Sequence, residues 1–208
     1  TDNVISATID LQTAVRDKFR PSTTKFMYTW NMRDLSGIAR GLCFATSENY
    51  TTPLPFARLW MNEARRPISD RLVNQAEIDR FEGVALGYAK KYFSDYCNIE
   101  DEMVHEKEQP LIFTNFIRAP TGSLPYACVP SMDKLFKTLT HQLEEYNEGN
   151  AAMSLVLFEQ AMRHTCRIAR ILMSPGGHGL LLGVGGSGKQ SLTRLAAYIC
   201  DCELAQYA

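Results

Sequence analysis

The spacing of apolar residues predicts a series of helices along the first 95 residues. One helix is predicted to begin after Asn31, whose side chain is suited to capping, and to end near Gly41. Its apolar positions follow the 3.6-residue helical period and are Met32, Leu35, Ile38 and Leu42. We expect these positions to face a packed core.

Two more helices are predicted downstream. The first covers 56–66, and we expect it to kink or end near Arg66 because Pro67 lacks the amide proton that an interior turn requires. The second covers 75–93 and carries one apolar stripe, formed by Ile78, Phe81, Ala85, Tyr88 and Tyr92. Residues 1–98 are therefore interpreted as a helical subdomain without a catalytic constellation.

A polar and largely acidic run separates this helical part from the rest of the chain. It covers 99–110, and its acidic residues are Glu100, Asp101, Glu102, Glu106 and Glu108. Charge runs of this kind are usually solvated connectors. We therefore place the main domain boundary here and interpret 111–208 as a second domain.

The second domain is predicted to combine extended segments with helices. Residues 111–117 favour an extended segment, and the prolines and glycine that follow favour an irregular loop up to residue 130. Ser131 is suited to cap a helix that ends near Asn147, and a longer helix is predicted over 151–173. The arginines of that longer helix lie off its apolar stripe and are interpreted as exposed charges: Arg163, Arg167 and Arg170.

The leucine-rich run 179–184 leads directly into a glycine-rich loop. A short apolar run bounded by glycines is typical of a buried central strand in a parallel sheet. The predicted fold class is therefore α/β with an α-helical part: a helical subdomain followed by the start of a parallel-sheet domain.

Composition excludes several classes of partner. The chain has 208 residues, of which 45% are hydrophobic, enough for a sizeable core. Its 22 basic and 23 acidic residues nearly cancel, which argues against nucleic acid and against an anionic membrane as partners. No apolar run approaches the ~20 residues of a membrane helix, and no secretory signal is evident. The six cysteines show no paired framework, which favours reduced thiols in the cytoplasm.

The residues that carry chemistry follow the leucine-rich run. They match the phosphate-loop pattern through Gly-x-x-x-x-Gly-Lys and are Gly183, Val184, Gly185, Gly186, Ser187, Gly188, Lys189, Gln190 and Ser191. Glycines let the backbone wrap its amides around a triphosphate, and the helix that should follow adds the partial positive charge of its N-terminus. Lys189 is then the cation for the β- and γ-phosphates. The sequence therefore predicts binding of ATP or ADP.

One position departs from the pattern. The residue after Lys189 is usually Ser or Thr, whose hydroxyl binds Mg²⁺, but here it is Gln190, with Ser191 one place later. Gln190 and Ser191 are the candidate Mg²⁺ ligands. An amide oxygen matches the tight octahedral shell of Mg²⁺ poorly, so we expect nucleotide to be hydrolysed slowly or not at all. After the loop there is no acidic strand end and no water-positioning residue, so we assign no catalytic residue to this segment by itself.

At these residues the chain resembles a known family. The segment 183–197, including the unusual glutamine after the lysine, is similar to the Walker A segment of the fourth ATPase module in axonemal dynein heavy chains. Residues 145–147 and 155–161 are similar to what precedes that loop in the family. Residues 28–36 resemble part of the helical lid of the third module, and 59–63 and 69–72 continue that resemblance. The resemblance covers most of the chain, with departures at Phe26 and Pro67.

The resemblance implies an arrangement of modules. Residues 1–98 would be the helical lid of one AAA+ module, 99–110 an acidic linker, and 111–208 the N-terminal part of the next module's α/β domain. Arg33 would be a sensor arginine directed at the nucleotide of its own module. The alternative is an ordinary surface arginine paired with Asp34 or a neighbour.

The resemblance also implies a function. The family members are ring-shaped motors that hydrolyse ATP and walk on microtubules, so the chain would be a piece of such a motor. The expected location is the cytoskeleton of the cytoplasm and the axoneme of cilia or flagella. Expected partners are neighbouring AAA+ modules, dynein light and intermediate chains and microtubules, with a regulatory role for this nucleotide site. Two alternatives stay open: a structural segment whose loop is empty, and a P-loop ATPase or kinase outside the dyneins.

Overall fold

The computed structural model describes residues 2–95, 98–99, 103, 109–117 and 124–207. Contacts between Cα atoms divide the chain into two compact units, Thr1–Leu111 and Ile112–Ala208. Most of the predicted acidic linker lies outside the described residues. The helical first unit and the mixed second unit agree with the predicted fold class.

The described part of the first unit is helical. Its elements are α1 (Asp2–Lys18), α2 (Met32–Leu42), α3 (Pro53–Ile68), a 3-10 turn (Ser69–Arg71) and α4 (Gln75–Phe93). The helix predicted after Asn31 and the helix predicted over 75–93 are both confirmed. Met32 does not face the core as expected, because its side chain at the start of α2 is 74% exposed. Helix α1 was missed, although the spacing of Ala7, Leu11 and Val15, all fully buried, carries its signal.

The core of the first unit is built around Trp60 of α3, which is fully buried. Its indole Nε1 donates to Thr8 Oγ1 of α1 over 2.9 Å, and its ring meets Phe93 of α4 edge to face, with centroids 5.2 Å apart. A buried tryptophan needs a partner for its N–H as well as apolar neighbours. Trp60 therefore fixes α3 against both α1 and α4.

The prediction for α3 was wrong at both ends. The helix begins at Pro53 rather than at residue 56, and it continues through Pro67 to Ile68. Proline is tolerated at the start of a helix, where the missing amide has no intrahelical partner. Near the end, Pro67 removes only one backbone bond, and Ser69 N–H closes the last turn on the carbonyl of Arg65.

The second unit contains a small sheet and three helices. Strands β1 (Phe113–Thr114) and β2 (Ala127–Cys128) pair antiparallel, with Phe113 opposite Cys128. They are followed by α5 (Met132–Gly149), α6 (Glu159–Leu172) and α7 (Lys189–Ile199). The extended segment and the helix capped by Ser131 are confirmed, whereas β2 lies where only an irregular loop was predicted. The core cluster consists of Ile112, Val129, Leu135, Leu139, Leu157, Met162, Cys166 and Leu195.

Helix α6 is shorter than predicted. It begins at Glu159, and residues 151–158 before it have no regular secondary structure. The side chain of Asn147 bonds both to the amide of Met153 (2.8 Å) and to its carbonyl (3.2 Å), which turns the chain after α5. The following segment buries Leu157 but leaves Phe158 58% exposed. The helical spacing of apolar residues therefore continued into a stretch that is not helical.

The interpretation of Arg170 as an exposed charge was wrong. Its side chain is buried, lies 5.3 Å from the ring centroid of Tyr126, and donates to Ser174 Oγ over 2.6 Å. Arg167 is exposed, as predicted, and half-buried Arg163 pairs with Glu159 at 2.9 Å. An aromatic face and a hydroxyl thus take the place of water around Arg170.

The leucine-rich run before the loop is not a buried strand. Leu180 is 85% exposed, Leu182 80% and Val184 79%, and the run makes no strand pairing within the described residues. A strand is stabilised by hydrogen bonds to a neighbouring strand, so apolar residues alone do not produce one. The predicted buried strand is therefore not found within the described residues.

The prediction of reduced cysteines concerns side chains of both units. The cysteines of the described part are free: Cys43, Cys128, Cys166, Cys200 and Cys202. Burial raises the pKa of the Cys166 thiol to about 12 and that of the Cys200 thiol to about 11. Both are therefore protonated and unreactive near neutral pH.

No helix among the described residues is long and apolar enough to cross a membrane.

A close approach between α2 and α3 gives a testable consequence. A Cβ on Gly41 would lie 2.0 Å from Oε2 of Glu63, whose side chain is fully buried and paired with Arg66. We expect Gly41→Ala to lower the free energy of unfolding by about 1–3 kcal/mol, measured by urea denaturation. Gly37→Ala, in the same helix with no atom within 4 Å of the added Cβ, is the control and should stabilise by up to ~1 kcal/mol. Equal effects of the two substitutions would contradict the steric explanation.

Candidate functional site

The glycine-rich loop has the backbone geometry that a phosphate loop requires. Gly186 (φ 76°) and Gly188 (φ 78°) both adopt the left-handed conformation, which other residues rarely tolerate. Ser187 N–H turns back towards the carbonyl of Val184 at 3.4 Å, and helix α7 begins at Lys189, directly after the loop. The predicted order of glycine loop followed by helix start is therefore present.

The start of α7 differs from the starts of α2, α4 and α5. Those three helices begin with Asn31, Asn74 and Ser131, whose side chains each accept a backbone amide of the first turn. Helices α3, α6 and α7 begin without a side-chain cap, and at α7 the N-cap is Gly188 in the left-handed conformation. Within the described residues, the amides of Gly185, Gly186 and Gly188 donate to no backbone carbonyl. Amides and a helix N-terminus in this arrangement favour an anion.

The ammonium group of Lys189 lies against the same loop. Its Nζ donates to the carbonyl of Val184 (2.6 Å), to the carbonyl of Gly183 (2.8 Å) and to Ser187 Oγ (3.1 Å). A Cβ on Gly183 would lie 3.6 Å from this Nζ and 3.2 Å from the Ser187 hydroxyl. The charge predicted to hold phosphate is thus centred on the loop, and a side chain at position 183 would crowd it.

The two candidate metal ligands lie at successive positions on α7. Gln190 is exposed and Ser191 is half-buried. Successive helical residues point about 100° apart, so the Ser191 hydroxyl does not take the place of a hydroxyl at position 190. No group of three or more His, Cys, Asp or Glu in the described part of the chain is arranged to hold a metal ion. These residues can supply at most one or two neutral oxygens to an ion.

Helix α6 holds α7 in place. The residues packed between the two helices are mostly small: Ala161, Ile168, Ala169, Leu192 and Ala196. Small side chains let two helices approach closely and leave little freedom for them to slide. Because Lys189 is the first residue of α7, this packing also fixes the origin of its side chain.

A cavity of about 250 Å³ lies beside the loop. Its lining includes Lys189 and Gln190 of α7 and the residues 204–207 that follow the helix. Arg194 of α7 donates to Gln206 Oε1 over 2.7 Å and so holds this terminal segment against the helix. Sequence reasoning assigned no role to the segment.

Arg33, the candidate sensor, lies in the first turn of α2 with its side chain exposed. Its backbone amide donates to Asn31 Oδ1 over 2.8 Å. Buried Asp34 accepts the Asn31 amide and forms an ion pair with Arg71. The carboxylate of Asp34 is therefore engaged by other groups, which argues against the alternative in which Arg33 pairs with it.

The segment before α2 is held by residues that follow the 3-10 turn. Glu77 accepts hydrogen bonds from Lys25 and from the Tyr28 hydroxyl, each at 2.5 Å, and the Val73 amide donates to the same hydroxyl. The hydrogen bond from Lys25 has the largest effect on the pKa of the Glu77 carboxyl, followed by the bond from Tyr28, and both hold this pKa below its ordinary value. Sequence reasoning missed this cluster because about 50 residues separate its two halves.

Comparison with family models finds two matches. Residues 153–208 match the P-loop containing dynein motor region D4, and residues 4–106 match the AAA+ lid domain. The first match covers the glycine-rich loop with Lys189, and the second covers the helical unit with Arg33.

Comparison with curated proteins finds dynein heavy chains. The chain is 47% identical over 203 residues to a ciliary dynein beta chain of Tripneustes gratilla and 45% identical over 209 residues to a flagellar outer-arm dynein beta chain of Chlamydomonas reinhardtii. It is 43% identical over 206 residues to dynein axonemal heavy chain 17 of Homo sapiens. These matches cover 98–99% of this chain and 4% of each relative.

The lowered pKa of Glu77 predicts a contribution to acid sensitivity. A carboxyl whose pKa is lower when folded than when unfolded stabilises the fold above its unfolded pKa, and this stabilisation is lost as pH falls through the folded pKa. We expect Glu77→Gln to be less stable than the unchanged chain at neutral pH and to lose less stability between roughly pH 5 and pH 3. Thermal unfolding across that range measures both effects. Asp79→Asn, which removes an exposed carboxyl from the same helix, is the control; an identical pH profile for both variants would contradict the assignment.

Proposed function

We propose, since the chain belongs to the axonemal dynein heavy chains, that its residues Gly183–Ser191 bind ATP or ADP in a regulatory site of a microtubule motor. The chain corresponds to about 4% of the length of its curated relatives, so the activity of the whole motor is part of this proposal. The observation that carries it is the glycine loop that opens helix α7 around the ammonium of Lys189.

The division of the chain into modules is also proposed. Residues 1–98 form the helical lid of the third AAA+ module, 99–110 an acidic linker, and 111–208 the N-terminal part of the fourth module. The lid match over 4–106 and the motor-region match over 153–208 support this assignment. The two compact units of the structure are compatible with it.

The loop binds nucleotide through its own groups. The amides of Gly185, Gly186 and Gly188 donate to phosphate oxygens, and the N-terminus of α7 adds its partial positive charge. Lys189 moves its ammonium from the loop carbonyls to the β- and γ-phosphates, exchanging neutral acceptors for charged ones. The phosphates add attraction between opposite charges, which a neutral carbonyl does not offer, and this favours the exchange.

Gln190 and Ser191 are the proposed protein ligands of a Mg²⁺ ion that accompanies the nucleotide. When bound, the ion would neutralise phosphate charge and orient the phosphates. Mg²⁺ commonly completes its shell with water and phosphate oxygens, which is compatible with the few neutral oxygens that this loop offers. Because an amide oxygen is a poorer match than a hydroxyl, we propose that the site hydrolyses ATP slowly and serves regulation.

Arg33 is proposed to act on a different nucleotide, that of the lid's own module. Its position in the first turn of α2, its exposure and the engagement of Asp34 by other groups support this role. A guanidinium offers several donors in a fixed plane and suits phosphate oxygens.

Partners and location follow from family membership. The relatives are named as ciliary, flagellar and axonemal chains, and the axonemal cytoskeleton is accordingly the location we assign. We propose the neighbouring AAA+ modules as direct partners. Microtubules, light chains and intermediate chains are proposed as partners of the whole motor.

A structural role with an empty loop is the second candidate. It is favoured by the three hydrogen bonds that Lys189 makes with its own loop, because they hold the turn together without a ligand. Nucleotide binding at this loop separates the two candidates.

Substitution of Lys189 tests nucleotide binding. In the full-length heavy chain, we expect Lys189→Ala to weaken binding of a fluorescent ATP analogue at this site by about tenfold or more, because a charge-assisted contact is lost. Titration followed by fluorescence gives the dissociation constant. Lys137→Ala removes an equally charged but exposed side chain from α5 and should leave the constant unchanged. Absence of binding at this loop in the unchanged chain would favour the empty loop, and equal binding by Lys189→Ala would overturn the role assigned to this lysine.

Substitution of Gln190 tests the proposed slow hydrolysis. We expect Gln190→Thr to lower the Mg²⁺ concentration needed for ATP binding by about severalfold, because a hydroxyl fits the Mg²⁺ shell better than an amide. Gln190→Asn keeps the amide and should behave like the unchanged chain.

Single-turnover hydrolysis, measured with the other nucleotide sites disabled, should be slow in the unchanged chain. Fast hydrolysis there would overturn the regulatory assignment.

A further inference from the structure

The first turn of α2, which carries Arg33, is held by a residue outside the helix. Arg71 lies in the 3-10 turn between α3 and α4, 37 residues along the chain from Asp34, with which it forms an ion pair. Neither the proposed phosphate loop nor the general packing of the lid uses this contact.

The ion pair is joined to the cap of α2. Asp34 Oδ2 accepts the amide of Asn31 over 2.8 Å, and Asn31 Oδ1 accepts the amide of Arg33 over 2.8 Å. These reciprocal bonds form a capping box in which Asp34 supplies the second side chain. Any movement of the Asp34 carboxylate is therefore transmitted to the backbone of Arg33 through two short hydrogen bonds.

Arg71 is itself fixed on several sides. Its Nη1 donates to the carbonyl of Thr29 over 3.2 Å, and its guanidinium lies 5.0 Å from the ring centroid of Trp30. The Trp30 indole donates to the carbonyl of Phe19 over 2.5 Å and is mostly buried. A planar guanidinium can donate to two acceptors while it stacks on a ring, which an ammonium cannot do.

We propose that Arg71 is a positioning residue for Arg33. By holding Asp34 and Thr29 it sets the orientation of the first turn of α2, and with it the direction in which the Arg33 side chain leaves the lid. Loss of Arg71 should therefore weaken ATP binding by the module to which the lid belongs. This inference rests on the proposed sensor role of Arg33.

The contacts distinguish positioning from general stabilisation. Arg65 makes a comparable ion pair in the same unit, with Glu82 at 2.8 Å, and the side chains of Arg65 and Arg71 are 23% and 32% exposed. The Arg65 pair joins α3 to α4 and includes no residue of the α2 cap. Arg65→Met thus removes the same charge from the lid without touching Asn31, Arg33 or Asp34.

A double-mutant cycle on the full-length heavy chain tests the proposal. The dissociation constant of a fluorescent ATP analogue at the lid's own module is measured for Arg33→Ala, for Arg71→Met and for both together. We expect about a tenfold weakening from Arg33→Ala, about threefold or more from Arg71→Met, and no further weakening when the second change is added to the first. Arg71→Lys should restore part of the loss, and Arg65→Met should leave binding unchanged.

Each other outcome has a definite meaning. If Arg33→Ala leaves ATP binding unchanged, the sensor role fails and this inference fails with it. If Arg33→Ala weakens binding but Arg71→Met does not, or if the two effects multiply independently, only the positioning role is overturned. If thermal melting shows that Arg71→Met is unfolded, Arg71→Lys takes its place in the cycle, and independent effects there overturn the proposal.

Discussion

The proposed nucleotide site depends on how helix α7 begins. A helix start carries amides that no turn of the helix can use, and most helix starts satisfy some of them with a side chain. Helix α7 has Gly188 in the left-handed conformation at this point, so its cap contributes no side chain. The same glycine allows the loop to turn sharply enough for Lys189 to reach the loop carbonyls. Glycine at this position therefore permits the sharp turn and also leaves the amides of the helix start available to a ligand.

In the helical unit, by contrast with α7, polar side chains cap the helix starts. The cap of α2 also makes a tertiary contact, because Asp34 forms an ion pair with Arg71 of the 3-10 turn. Tyr28 and Lys25, which precede the cap, are bound by Glu77 of α4. The exposed Arg33 thus projects from a turn whose neighbours are fixed on both sides, as a residue with a directional role requires.

Two arginines, Arg170 and Arg33, show that the surrounding residues decide whether a charged side chain is buried or exposed. Arg170 of α6 is buried beneath the ring of Tyr126 with a hydroxyl partner, whereas Arg33 of α2 remains exposed. Both lie on amphipathic helices, and the sequence does not distinguish them. The exposed residue is the one for which a sensor role is proposed, whereas the buried one bonds to Ser174 at the end of α6.

The sequence by itself determined the features that depend on a few consecutive residues. The caps at Asn31 and Ser131, the extent of α4 and the loop that ends in Lys189 all follow from local backbone and hydrogen-bond requirements, and all are found in the structure. Tertiary structure alone decided that residues 151–158 are not helical, that Arg170 is buried, and that Asp34 meets Arg71. A regular spacing of apolar residues, or a charged residue, indicates that the side chains need a packing or ionic partner. Which partner they find depends on packing between segments tens of residues apart, and no local pattern encodes that.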